Sequence, residues 1–180
     1  GAPSGSLWKK PVSGGEESQV LPSVFWHAFS LVNDGIYFIS KLDEKRISYI
    51  RFKDLTTGRD LPDVIPAVTP NLAWANDNRT IFYTKQDPET LRADRIYRHV
   101  LGTDPAKDQL VFEEKDDTFS CFVYLTKSKR YVMIVSEQTL SSEVRYIDAE
   151  RPDGEFRVFL KRERDHEYGV DHYGDSFYVR

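Results

Sequence analysis

Apolar positions in this chain come in short runs that alternate with polar residues or cluster in β-formers, and turn residues bound nearly every run. Ile36-Tyr37-Phe38-Ile39 follows Asn33-Asp34-Gly35, a tripeptide whose Asn and Gly tolerate the positive φ of tight hairpin turns. Leu72-Ala73-Trp74-Ala75, Asn76-Asp77-Asn78-Arg79 and Thr80-Ile81-Phe82-Tyr83 repeat the plan. So do Phe122-Val123-Tyr124-Leu125, Lys127-Ser128-Lys129 and Tyr131 to Val135, and a weaker copy spans Tyr168 to Val179. Helical spacing is sustained nowhere; its best stretch, Pro88 to Leu101, is broken by Tyr97 and Val100 in a strand-like setting. The pattern predicts an all-β chain.

The copies recur about every 45 to 50 residues, with Ile36, Ile81, Tyr131 and Phe177 at matching places. After each hairpin but the last comes a third strand, at Ser48 to Arg51, Arg95 to Arg98 and Glu143 to Tyr146. A polar turn then leads to a fourth, at Leu61 to Ile65, Gln109 to Phe112 and Glu155 to Leu160. Four short antiparallel strands per repeat of this length make a β-propeller blade. The fourth copy stops after two strands, and Leu7 to Val12, Ser13-Gly14-Gly15 and Glu16 to Leu21 have the shape of the missing pair. The expectation is four four-stranded blades over residues 7–180, the last shared between the termini. Gly1 to Ser6 read as a cloning scar outside the fold.

Longer phrases carry a resemblance. Asn71 to Thr80, Tyr97 to Asp104, Glu113 to Phe119, Asp165 to Tyr168 and Asp171-His172 are similar to the propeller of oligopeptidase B-like members of the prolyl oligopeptidase family of serine peptidases, over residues 59–180. Leu7 to Glu17 and Val32 to Phe38 instead resemble TolB-type propeller repeats, over residues 7–58. Two sources in one chain imply an engineered chimera of propeller fragments, because repeat units recombine readily. The peptidase resemblance further implies seven-bladed parents and a catalytic α/β-hydrolase domain elsewhere. No Gly-x-Ser-x-Gly nucleophile elbow occurs in these 180 residues.

A net charge of −4 argues against a nucleic-acid partner, and no apolar run approaches the ~18 to 20 residues of a spanning helix. The N-terminus has no secretory-signal pattern, and the localisation stays open. The single Cys121 permits no internal disulfide and reads as a small buried hydrophobe. His166, Glu167, Asp171 and His172 alone combine metal-ligand residue types; hydrogen bonding at a blade junction explains them better than zinc. His27 and His99 read as satisfied sheet histidines, and Glu113-Glu114-Lys115-Asp116-Asp117 as a solvated loop that could also attract a basic peptide. No catalytic, cofactor or metal residue is assigned, and no cofactor is expected. The expected function is a structural, non-catalytic engineered propeller. Its alternatives are a substrate-gating peptidase fragment and a peptide- or protein-binding module. The expected partner is a second copy, two chains closing an eight-bladed homodimeric ring.

Overall fold

The computed structural model describes residues 4–25, 28–32, 35–40 and 48–180. Among them every regular element is a β-strand except one 3-10 turn, Pro105–Lys107. The chain divides into two compact units, Gly1–Pro66 and Ala67–Arg180.

In the first unit, β1 (Ser4–Lys9) pairs with β2 (Ser18–Phe25) as a two-stranded sheet. A four-stranded antiparallel sheet follows in chain order: β3 (Phe29–Leu31), β4 (Gly35–Ser40), β5 (Tyr49–Asp54) and β6 (Asp60–Pro66). The second unit repeats this sheet twice. Its strands are β7 (Val68–Trp74), β8 (Thr80–Gln86), β9 (Ala93–Val100) and β10 (Gln109–Glu113), then β11 (Ser120–Leu125), β12 (Tyr131–Gln138), β13 (Ser141–Asp148) and β14 (Arg157–Leu160). A two-stranded sheet of β15 (Val170–Tyr173) and β16 (Ser176–Val179) ends the unit.

The meander order and its three full copies match the period of the sequence. Some boundaries differ. β1 begins at Ser4 rather than Leu7: Ser4 and Gly5 pair with Phe25 and Val24, and Ser6 Oγ donates to the Pro22 carbonyl at 2.9 Å. Small residues carry no apolar signal, so only the length of the partner strand reveals this extension. β7 starts at Val68, ahead of the run at Leu72, with a register shift between the two that contains Pro70, which has no N–H to give. β14 starts at Arg157, later than the expected Glu155. β1–β2 and β15–β16 are each a two-stranded sheet.

Turn chemistry sets the hairpins. Asn78, Lys129 and Gly174 take the left-handed conformation, at φ 57°, 60° and 60°. The Asp77 carboxylate accepts from the Arg79 and Thr80 amides and the Thr80 hydroxyl at 2.6 to 3.0 Å, closing its turn with a side chain. Asn33 and Asp34 lie outside the described residues, as do Trp26 and His27. Gly35 is needed for a different reason from the one its turn predicts: a Cβ there would lie 2.8 Å from the Lys53 carbonyl oxygen.

The largest buried cluster lies between the two full sheets of the second unit. Ala73, Phe82 and Ile96 meet Cys121, Val123, Val132, Ile134 and Ile147, all at most 5% exposed. Each large side chain buried there contributes about 1.5 to 3 kcal/mol. A second cluster seats Tyr168 and Val170 on Met133, Val135 and Val144, and so fixes β15–β16 to the β11–β14 sheet. In the first unit Leu21 and Val24 of β2 pack on Ile36 and Phe38 of β4, with Leu7 at the margin.

Candidate functional site

Three polar clusters and three open hollows gather the chemistry-bearing residues of the second unit. The first cluster holds the loop that follows β10. Arg92, in the turn before β9, donates from Nε to the Phe119 carbonyl at 2.8 Å and from Nη2 to the Glu114 and Asp116 carbonyls at 2.7 and 2.6 Å. From the segment after β14, Arg162 donates to the Glu114 carboxylate and lays its guanidinium over the Phe119 ring, 3.6 Å from the centroid. Ser136 of β12 and the Asp116 amide also donate to Glu114. Burial opposes ionisation of Glu114, but these donors outweigh it and hold the carboxyl below its ordinary range. The acidic run is therefore not a uniformly solvated loop. Glu114 is 6% exposed and committed to internal partners, while Glu113, Lys115, Asp116 and Asp117 face solvent.

The second cluster is buried. His99 Nδ1 lies 2.8 Å from one Asp108 oxygen, and the Tyr83 hydroxyl donates to the other at 3.0 Å. Burial first, then the Asp108 charge, pushes the Tyr83 phenol far up. His99 is thus the satisfied sheet histidine expected from its neighbours, and its ring is fully enclosed.

At the third, the β11–β12 turn meets β15. His172 Nδ1 lies 2.8 Å from Ser128 Oγ, with the ring packed against Tyr131 and Phe177 at 4.8 and 4.9 Å. A Ser–His contact invites comparison with a nucleophile and its base. Here, however, Asp171 accepts from the Lys127 and His172 backbone amides rather than orienting the ring, and Ser128 Oγ accepts from the Arg130 amide. His166 stacks on Tyr168 at 5.2 Å, its Nδ1 buried without a hydrogen-bond partner. Among the described residues no three His, Cys, Asp or Glu side chains converge to hold a metal ion. Cys121 is 1% exposed; burial first, then the Asp94 and Glu114 charges, pushes its thiol up to about 12, which suppresses thiolate chemistry.

The hollows lie around the β13–β14 turn. One of about 440 Å³ is lined by Tyr131, Tyr146, Arg151, Arg157 and Phe177. Two others, of about 400 and 410 Å³, share Glu150, the first mainly polar and the second mixed. All three open to solvent, and Ser128, the neighbour of His172, lines the one of about 400 Å³. The aromatic rings and charged side chains that line these hollows offer stacking and ion pairing. The arginines that hold the loop after β10, Arg92 and Arg162, escaped notice in the sequence because their partners there lie 22 to 48 residues away.

Comparison with known proteins decides the family. The model of the prolyl oligopeptidase N-terminal β-propeller domain matches residues 27–180. The chain belongs to that family. Dipeptidyl aminopeptidase BI of Pseudoxanthomonas mexicana is 47% identical over 131 residues, 73% of this propeller-family chain and 18% of that protein. An uncharacterised peptidase of Sinorhizobium fredii is 32% identical over 194 residues, covering 96% of the chain and 27% of its own length. Oligopeptidase B from Leishmania major superposes with a TM-score of 0.74 at 23% identity, over 84% of this chain and 22% of that one. TolB from Acinetobacter baumannii shares the fold at a TM-score of 0.50 and 15% identity, over 79% of this chain and 35% of its own. The propeller-family chain spans only about a fifth to a quarter of the curated relatives' length. The family match also reaches into residues 7–58, where the sequence pointed to a TolB-type source.

Proposed function

We propose that this chain is the non-catalytic propeller portion of an oligopeptidase-like serine peptidase, screening peptides on their way to a catalytic domain. The family match over residues 27–180 carries the reading, and the site supports it: open hollows of mixed charge, with no nucleophile–base–acid relay among the described residues. The chain alone should neither hydrolyse a lysyl or arginyl chromogenic peptide nor react with a fluorophosphonate serine probe. Added to a propeller-deleted catalytic domain of dipeptidyl aminopeptidase BI, it should lower cleavage of a folded protein more than that of a short peptide. Probe labelling, or an unchanged ratio of the two rates, would overturn the reading.

A joined-fragment origin, with a purely structural role, retains one supporting observation: the 47% identity extends over 73% of the chain, while the alignment that covers 96% is at 32%. One uninterrupted genomic reading frame for all 180 residues would end it.

A further inference from the structure

The two full sheets of the second unit, β7–β10 and β11–β14, are tied together at one end by three of their turns. Asn76, in the β7–β8 turn, donates from Nδ2 to the Lys129 carbonyl at 3.0 Å and from its backbone amide to the Ala149 carbonyl at 2.9 Å. The Ala149 amide donates in turn to the Arg130 carbonyl at 2.8 Å, and the Arg130 amide donates to Ser128 Oγ at 3.2 Å. The β7–β8, β11–β12 and β13–β14 turns thus form one hydrogen-bonded frame, and the hollow of about 400 Å³ opens in it. Because backbone bonds set the frame, a ligand entering it has little left to order.

Four charged side chains line this hollow: Lys129 and Arg130 from the β11–β12 turn, Asp148 and Glu150 from the end of β13 and the turn after it. Among the described residues no ion pair joins the two cations to the two carboxylates. Arg130 instead lies over the Tyr131 ring, 5.6 Å from its centroid, and Asp148 Oδ1 accepts from the Glu150 amide at 2.9 Å. Both signs are therefore open to a ligand, and the four charges sum to zero. A polyanion would meet the carboxylates and a polycation would meet Lys129 and Arg130, so the hollow favours a ligand that carries one charge of each sign.

We infer that this hollow binds the C-terminal residue of a peptide when that residue is Lys or Arg, with its α-carboxylate on Lys129 and Arg130 and its side-chain cation on Glu150 and Asp148. Such a residue carries both signs at the two ends of a stem of roughly three to four CH2 groups, long enough to reach from one set of charges to the other. An internal Lys lacks the carboxylate, and a terminal Leu lacks the cation. Free lysine has both, but its α-ammonium would be held beside Lys129 and Arg130. The Arg130 guanidinium offers a carboxylate two parallel donors, and Lys129 adds a point charge. The inference names the class of peptide that the proposed screening would retain, and for its role it rests on that reading; the binding chemistry rests on these side chains alone.

Fluorescence anisotropy of an N-terminally labelled Gly-Ser-Gly-Ser-Ala-Lys peptide, titrated with the full chain, measures the binding. The free acid should bind at least about fivefold more tightly than its C-terminal amide or the same peptide ending in Leu, and should weaken from about 50 to 300 mM salt. Free lysine should compete less well than the unlabelled peptide. Lys129→Gln with Arg130→Gln should erase the preference for acid over amide, and Glu150→Gln the preference for Lys over Leu. These three side chains are exposed, so far-ultraviolet circular dichroism should not change; if a variant does misfold, the acid, amide and Leu peptides on the wild-type chain decide. Equal binding of acid and amide, no saturation below about 1 mM, or folded variants that keep both preferences overturn the site. Binding as expected with an unchanged ratio of folded-protein to short-peptide cleavage would keep the site and end the screening reading. A shifted ratio without binding would do the reverse.

Discussion

Glu114 is the residue on which the second unit's polar interior turns. Its carboxylate receives Arg162, Ser136 and the Asp116 amide while only 6% exposed, so removing it leaves the Arg162 guanidinium with only the more distant Asp116 carboxylate, at 3.9 Å. Glu114→Ala should cost about 3 kcal/mol in urea unfolding, and Glu114→Gln less, because the amide oxygen still accepts. A loss under about 0.5 kcal/mol for the alanine variant would show that Arg162 finds water instead. Cys121 makes a second residue-scale case. Enclosed in the largest core cluster with its thiol pushed up, it should not react with a disulfide reagent at pH 8 until denaturant is added. Neither environment was legible in the sequence beyond its first term. The Ser-Cys-Phe context pointed to burial, but Glu114 sat in a charge run whose members look alike until folding sets one of them beside Arg162.

Among elements, strands and turns were legible and the ties between them were not. Strand period, Asn-Asp-Asn and Ser-Lys turns and the 45 to 50 residue repeat all depend on neighbours in the chain, so local sequence reports them. The loop after β10 is held by Arg92, which caps three carbonyls of residues 114, 116 and 119 from another turn. Arg92→Ala should leave those carbonyls unsatisfied and loosen the loop, so trypsin should cut after Lys115 roughly tenfold faster or more, with the other sites little changed. Equal cleavage at Lys115 would mean that Arg162 and Glu114 hold the loop without it.

At the scale of the whole molecule, the repeated turns make the fold acid-sensitive. Asp54 is held below the ordinary carboxylate range by the Thr57 and Thr56 donors, Asp87 by the Thr90 and Glu89 amides, and Asp116 by Thr118. Asp77 and Glu114 end below it too, their donors outweighing burial. A lowered folded pKa stabilises the fold above the unfolded value and is lost as pH falls through the folded one. The melting temperature should stay level from about pH 8 to pH 5 and fall progressively below about pH 4. A level curve down to pH 3 would show that the turns survive protonation.

By itself the sequence determined the all-β class, the meander of short strands, the period and the family resemblance over residues 59–180, because alternation, turn residues and ordered phrases act over neighbouring positions. Tertiary structure alone decided that Ser4 and Gly5 pair with β2, that Gly35 makes room for the Lys53 carbonyl, and that Arg92 and Arg162 close over the acidic loop. It also decided that Tyr173 and Tyr178 of β15–β16 stay exposed. Those outcomes hang on which surfaces meet across tens of residues, and side-chain order along a strand does not encode the distance at which two sheets pack.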